Sequence, residues 1–243
     1  AKLGGQKMHV VEAGGYRQLS DSLLSNLGLD QPSGLDHVSG TAPYWRVAVQ
    51  KEVGQHYFSG GMFGLASTLY PGNDRTSGTD SYTDWGYDAT YQYTDGVNNA
   101  VTAQLAYIRE DQRLRGSTAL GDSTQVGNSL DELKFNLQYG FRQTYVASVG
   151  YFDTTGSRNV ARYAPGEIDG SASGRPDSRG YVLQADWVPW GKLQSPAQPW
   201  MNLRLGVQYT AYDKFNGGDR NYDGFGRNAS DNNTLYVFAW LAI

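Results

Sequence analysis

The chain has 243 residues, with 20 Lys+Arg against 24 Asp+Glu and no Cys. A disulfide framework, a thiolate metal site and covalent haem attachment to this chain are therefore excluded. The formal net charge of −4 argues against a nucleic-acid partner, which calls for a basic surface. Aromatic content of 13% argues against a disordered chain, and 31 Gly with 18 Tyr against a helical bundle.

The start, Ala1-Lys2-Leu3-Gly4-Gly5, lacks the basic and apolar regions of a signal peptide and reads as a processed end or the cut edge of a longer protein. A first strand is expected over 6–17. The polar connector 18–41 follows, with a short helix near Ser20 to Leu27, capped by Ser20 or Asp21 and ended by Gly28. In 42–53, Trp45, Val47 and Val49 alternate with Arg46, Ala48, Gln50 and Glu52. A tight turn at Val53-Gly54-Gln55 leads into a strand over 55–70. The uncharged stretch from Val53 to Asn73 contains Gly60, Gly61, Gly64 and Pro71, so it is not a membrane-spanning helix.

Period 2 continues along the chain. In 80–94, Trp85, Tyr87, Ala89, Tyr91 and Tyr93 oppose Asp84, Gly86, Asp88, Thr90 and Gln92. Asp95-Gly96 signals a hairpin into 97–110, where Val101, Ala103, Leu105 and Tyr107 oppose Thr102, Gln104 and Ala106. The clearest alternation is in 130–142: Leu133, Phe135, Leu137, Tyr139 and Phe141 against Lys134, Asn136, Gln138, Gly140 and Arg142. Further strands are expected over 143–154, 178–190, 200–214 and 233–243. They place Gln184, Asp186, Arg204 and Gln208 on polar faces.

The whole chain, 1–243, thus reads as one all-β domain of about ten strands, joined by alternating short turns and long polar loops. That layout predicts a transmembrane antiparallel up-and-down β-barrel of the bacterial outer membrane, complete or the C-terminal part of a larger one. An even strand number puts both chain ends on the short-turn rim. A soluble β-sandwich alternates too. Aromatics gathered near strand ends, among them Tyr82, Trp85, Tyr107, Tyr139, Tyr145, Tyr151, Tyr181, Trp187, Trp190 and Trp200, favour membrane-interface girdles instead. Smaller apolar residues such as Ala103, Ala147 and Ala185 lie between them. The last strand carries Leu235, Val237, Ala239, Leu241 and Ile243 on one face.

Several segments resemble proteobacterial outer-membrane proteins labelled cytochrome c family. They are Ala42-Pro43-Tyr44-Trp45-Arg46-Val47-Ala48-Val49, Asp88-Ala89-Thr90-Tyr91-Gln92-Tyr93, Pro176-Asp177-Ser178-Arg179-Gly180-Tyr181 and the block from Asn228 to Tyr236. The resemblance implies a porin-like barrel and a longer protein with an N-terminal haem segment. No cofactor belongs to the present chain by this reading, and haem c would lie only in that further segment.

The polar faces supply the candidate pore lining: Arg46, Gln50, Glu52, Asp84, Asp88, Gln92, Gln104, Lys134, Gln138, Arg142, Gln184, Asp186, Arg204 and Gln208. Balanced charge on that face is compatible with a transverse field in a pore, or with ion pairs that fill a narrow barrel. Asp219, Asn221 and Asp223 begin a D-x-N-x-D-G calcium-loop pattern, but its twelfth position is Ser230 in place of Glu. His37, beside Asp36, is the one histidine expected among the long loops, and no G-x-S-x-G motif accompanies it, so an enzyme is not expected. Arg158, Arg162, Arg175 and Arg179 are candidates for lipopolysaccharide phosphates, or for folding their own loop inward. The expected function is passive diffusion of small hydrophilic solutes. The alternative is a structural sheath for a haem protein in electron transfer across the outer membrane, and an outer-membrane hydrolase ranks below both. Expected partners are outer-membrane lipid and lipopolysaccharide, with a haem protein or self-association as further candidates.

Overall fold

The computed structural model describes residues 7–28, 34–192, 194–197 and 199–242. The expectations for Ala1 to Gly5 and for Ile243 lie outside the described residues. The strands are β1 (Lys7–Tyr16), β2 (His37–Val38), β3 (Ala42–Val53), β4 (His56–Tyr70), β5 (Asp80–Thr94), β6 (Asn99–Leu114), β7 (Gly127–Phe141), β8 (Tyr145–Gly156), β9 (Ser178–Trp187), β10 (Asn202–Lys214) and β11 (Thr234–Ala242). They form one antiparallel sheet in the order β1-β3-β4-β5-β6-β7-β8-β9-β10-β11. The short β2 pairs with the end of β4, through His37 opposite Tyr70. Among the described residues β1 pairs only with β3 and β11 only with β10, so the sheet is not closed. No helix among the described residues is long and apolar enough to cross a membrane.

Two helices occur. Helix α1 (Asp21–Asn26) is capped as expected, the Ser20 hydroxyl accepting the Leu23 N–H. Helix α2 (Arg115–Leu120) was not anticipated by periodicity. It ends on Gly121 at φ 87°, a left-handed position suited to glycine. Buried Asp80 at the head of β5 anchors it by accepting the Ser117 N–H at 3.1 Å.

Alternation sends two different surfaces to the two sides. In the register, Phe135 faces Leu105 and Tyr151, and Leu137 faces Ala103 and Val149, all on one side. These side chains do not form a core: Phe135 is 39% and Leu137 38% exposed, and Val237 on β11 reaches 71%. Aromatics border this apolar surface. On β8 and β9, Tyr145 and Trp187 stand opposite each other near one rim, and Tyr151 and Tyr181 near the other. Val149, Leu183, Ala147 and Ala185 lie between them. Beyond the tyrosines the same side becomes charged, with Arg109 against Asp131 at 3.1 Å and Asp153 opposite Arg179. Tyr82 differs from expectation: even positions of β5 face the other, polar side, so it does not join the aromatics that border the apolar surface. Trp190 and Trp200 lie outside the strands, in the connector between β9 and β10.

Glycines on the sheet carry aromatic rings from the next strand. A Cβ on Gly64 would meet the Trp45 indole at 2.6 Å, one on Gly86 the Phe63 ring at 2.8 Å, and one on Gly180 the Phe152 ring at 2.8 Å. The rings occupy the space that a side chain at each glycine would need, a device that pins strand register.

Candidate functional site

The inner side of β3 and of β5 to β10 faces one common space of about 700 Å³. Arg46, Asp88, Gln104, Lys134, Gln184 and Gln208 line it, together with Asn136, Ser148, Phe152 and Val182. Glu52 and Gln92 line a second space of about 400 Å³ near the short-turn rim, beside Tyr57 and Thr102. Gln50, Asp84, Gln138, Asp186 and Arg204 share the same face by register. Arg142 does not. It lies in the turn between β7 and β8 at φ 53°, with its guanidinium 5.0 Å from the Phe141 ring centre. The turn interrupts the two-residue period that carried the reading up to Phe141.

The basic groups Arg46, Lys134 and Arg204 on this face are each held by a carboxylate. Arg46 donates two hydrogen bonds to Asp88, one at 2.8 Å, across the intervening strand β4. Gly61 makes this possible, because any side chain there would stand between them. Asp186, 5% exposed, accepts from Arg204 at 2.9 Å and from Gln184 at 2.9 Å. Its neighbour Gly206 leaves room for the Phe238 ring, over which Arg204 lies at 5.5 Å. Lys134 pairs with Glu132 at 2.7 Å, and Asp84 stands directly opposite Glu110. The sequence reading missed Glu132 and Glu110. Both lie within the expected strands 97–110 and 130–142, and carrying the alternation through even positions to Glu110 and back to Glu132 would have found them.

The long loops are folded back on themselves. Asn159, fully buried, donates to Ser123 Oγ at 2.6 Å and accepts from the Thr124 N–H at 3.0 Å, tying loop 157–177 to the turn after α2. The Tyr222 hydroxyl donates to the Ile168 carbonyl at 2.8 Å and joins loop 215–233 to it. Arg158 and Arg175 donate to the carbonyls of Ser173 and Gly156, the inward-folding arrangement. Arg162 interacts with Tyr82, which raises its pKa above the ordinary arginine value against the opposing effect of burial. Arg179 lies on the outer face, 3.9 Å from Asp213.

The calcium-loop residues serve the backbone. Asp223 Oδ1 accepts the Phe225 N–H at 2.8 Å, Asn221 Oδ1 the Gly226 N–H at 2.6 Å, and Asp219 Oδ1 the Arg220 N–H at 3.0 Å. Burial pushes the Asp223 carboxyl up, but the N–H groups of Phe225, Arg227 and Ile168 outweigh it and hold the pKa below the ordinary value. No group of three His, Cys, Asp or Glu with metal-holding geometry occurs among the described residues. Asp36 accepts the Gly72 N–H at 2.9 Å, and His37 lines a groove with Arg17, Tyr70 and Arg75.

Comparison with family models, with curated proteins and with solved structures gives no match to this chain.

Proposed function

We propose that this chain is an outer-membrane β-barrel protein, or part of one, that lets small hydrophilic solutes diffuse along its polar inner face. One observation carries the reading: among the described residues the apolar side of the sheet has no second layer against it, while the opposite side is polar and borders a common space. Water is a poor solvent for a band of Phe135, Leu137, Val149, Leu183 and Val207, each more than a third exposed. Hydrocarbon suits it. Leu133 to Phe141 extends about 27 Å at roughly 3.4 Å per residue, or about 20 Å in height at the ~35–45° tilt of such strands, near the ~25 Å band of outer-membrane barrels. In hydrocarbon the edges of β1 and β11 must be paired, with each other or with further strands. The charged groups Arg109, Asp131, Arg179 and Asp213 would then stand at the headgroup level, beside lipopolysaccharide.

The test is refolding in detergent followed by insertion into a planar bilayer. Stepwise conductance is expected. Protein with full β circular dichroism that inserts but never conducts would overturn the reading.

A second reading, a sheath around a haem protein as the family resemblance implies, draws on β11. Its inner side carries Tyr236, Phe238 and Trp240, and Tyr236 and Trp240 are more than half exposed. An aqueous lumen has no use for such a stripe, whereas a seated protein partner does. A sheath would conduct poorly alone and copurify with haem.

A further inference from the structure

We infer that the inner face favours uncharged polyhydroxylated solutes, of which sugars are the type, over ions of either sign; this rests on the channel reading above. The strand register carries it. Gln92 stands opposite Thr102, Thr102 opposite Gln138, Gln138 opposite Ser148, Ser148 opposite Gln184, and Gln184 opposite Gln208. Each of the strands β5 to β10 thus contributes one residue to a single lateral row, and none of these residues is charged. A parallel row begins one step nearer the long loops, with Thr90 opposite Gln104 and Gln104 opposite Asn136.

A primary amide offers two N–H donors and a carbonyl acceptor, and a hydroxyl offers one donor and two acceptor positions. A sugar hydroxyl needs both kinds of partner. Neighbours in such a row lie about 5 Å apart, so one sugar ring can reach two of them. The groups are open for this work: Gln92, Thr102, Gln104, Asn136 and Gln138 make no side-chain hydrogen bond among the described residues. Phe152 and Val182, in the same space, give the C–H face of a ring something apolar to rest on.

The basic residues of this face are in the opposite condition. Arg46 is held by Asp88, Arg204 by Asp186 and Lys134 by Glu132. Within the two rows an ion shedding water meets no charged side chain, so its desolvation is poorly offset. Asp84 with Glu110, and Glu52, the carboxylates of this face without an ion-pair partner among the described residues, lie outside them. A sugar exchanges hydrogen bonds to water for hydrogen bonds to amides.

The experiment uses the refolded chain in liposomes and planar bilayers. Swelling rates are compared for glucose and maltose against gluconate and glucosamine, similar in size but charged. An advantage of about 5-fold for the neutral sugars is expected, the equivalent of one net hydrogen bond of about 1 kcal/mol. Maltose should also lower single-channel ion conductance in a saturable way. Q104L/Q138L/Q184L, checked for folding by its heat-shifted gel mobility, should lose both the sugar advantage and the block. Ion conductance with neither sugar advantage nor block overturns the inference and leaves the channel reading standing. A folded, inserted protein with no conductance overturns both.

Discussion

Arg46 on β3 and Asp88 on β5 are joined by two hydrogen bonds although β4 lies between them. The bridge spans a gap left by Gly61, where a Cβ would lie 3.2 Å from Arg46 Nη2 and 3.0 Å from both the Ala48 Cβ and the Val47 carbonyl. A larger residue at 61 must push the guanidinium off its carboxylate. Gly61→Leu is expected to lower stability in detergent by about 1 kcal/mol, since an ion pair open to water contributes little more. Asp88→Asn keeps the shape but leaves Arg46 without its counter-charge. It should raise anion over cation permeability, read as a shift of reversal potential in a KCl gradient. An unchanged reversal potential would show that the pair does not face the path of the ions.

The two faces of β7 give the sharpest contrast. Leu137→Arg places a cation on the outer side among Ala103 and Val149. In a bilayer this should cost about 2–4 kcal/mol near mid-depth, measured as urea-dependent refolding into lipid vesicles. Asn136→Arg, one residue away on the inner side, should cost less than about 1 kcal/mol, because that side meets water. Equal costs at the two positions would remove the case for lipid on the outer side.

How far these contrasts could be read from residues alone varies along the chain. Between Leu133 and Phe141 the sequence is enough, since each residue type declares its side. Where both sides of a strand meet water the alternation fades. Asp111, Gln112 and Arg113 therefore looked like loop although β6 runs to Leu114, and Glu110 was not seen opposite Asp84. Arg142 was misplaced for the reverse reason, a period continued one residue into a turn. The Arg46–Asp88 bridge needs register, which alternation leaves undetermined, and it needs a glycine in one particular row. Nothing local marks Asn159 as buried. Its partners Ser123, Thr124 and Asn128 lie more than 30 residues away.

Acid should loosen the loop before β5. The hydroxyls of Ser77 and Thr76 and the Thr76 N–H hold the Asp74 pKa down to about 2. A lowered folded-state pKa gives stabilisation that is complete above the unfolded value of about 4 and is lost as pH falls towards 2. Hydrogen exchange at the Thr76 amide, corrected for its intrinsic rate, should show protection at pH 5 that fades through this window. Asp74→Asn should bring the pH 5 protection down to the level of the wild type at pH 2. Protection that does not change with pH would mean that the carboxylate is not what orders the turn.

The loops above the inner space depend on one amide. Asn159 donates to Ser123 and, at 3.2 Å, to Asn128, while its carbonyl oxygen accepts from the Thr124 N–H at 3.0 Å and the Arg162 N–H at 3.3 Å. It is fully buried, so Asn159→Ala strands those partners without water. The expected cost is about 2–3 kcal/mol, and it should fall on the loops alone, because no strand pairing passes through residue 159. Limited proteolysis should then cut within 157–177 much faster than in the wild type, while the β circular dichroism and the gel mobility of the folded form stay unchanged. Asn159→Asp separates hydrogen bonding from size: it keeps the acceptor for Thr124 and Arg162 but loses both donated bonds, and should give intermediate cleavage. Loss of the β signal in either variant would show instead that the loop network and the sheet fold as one unit.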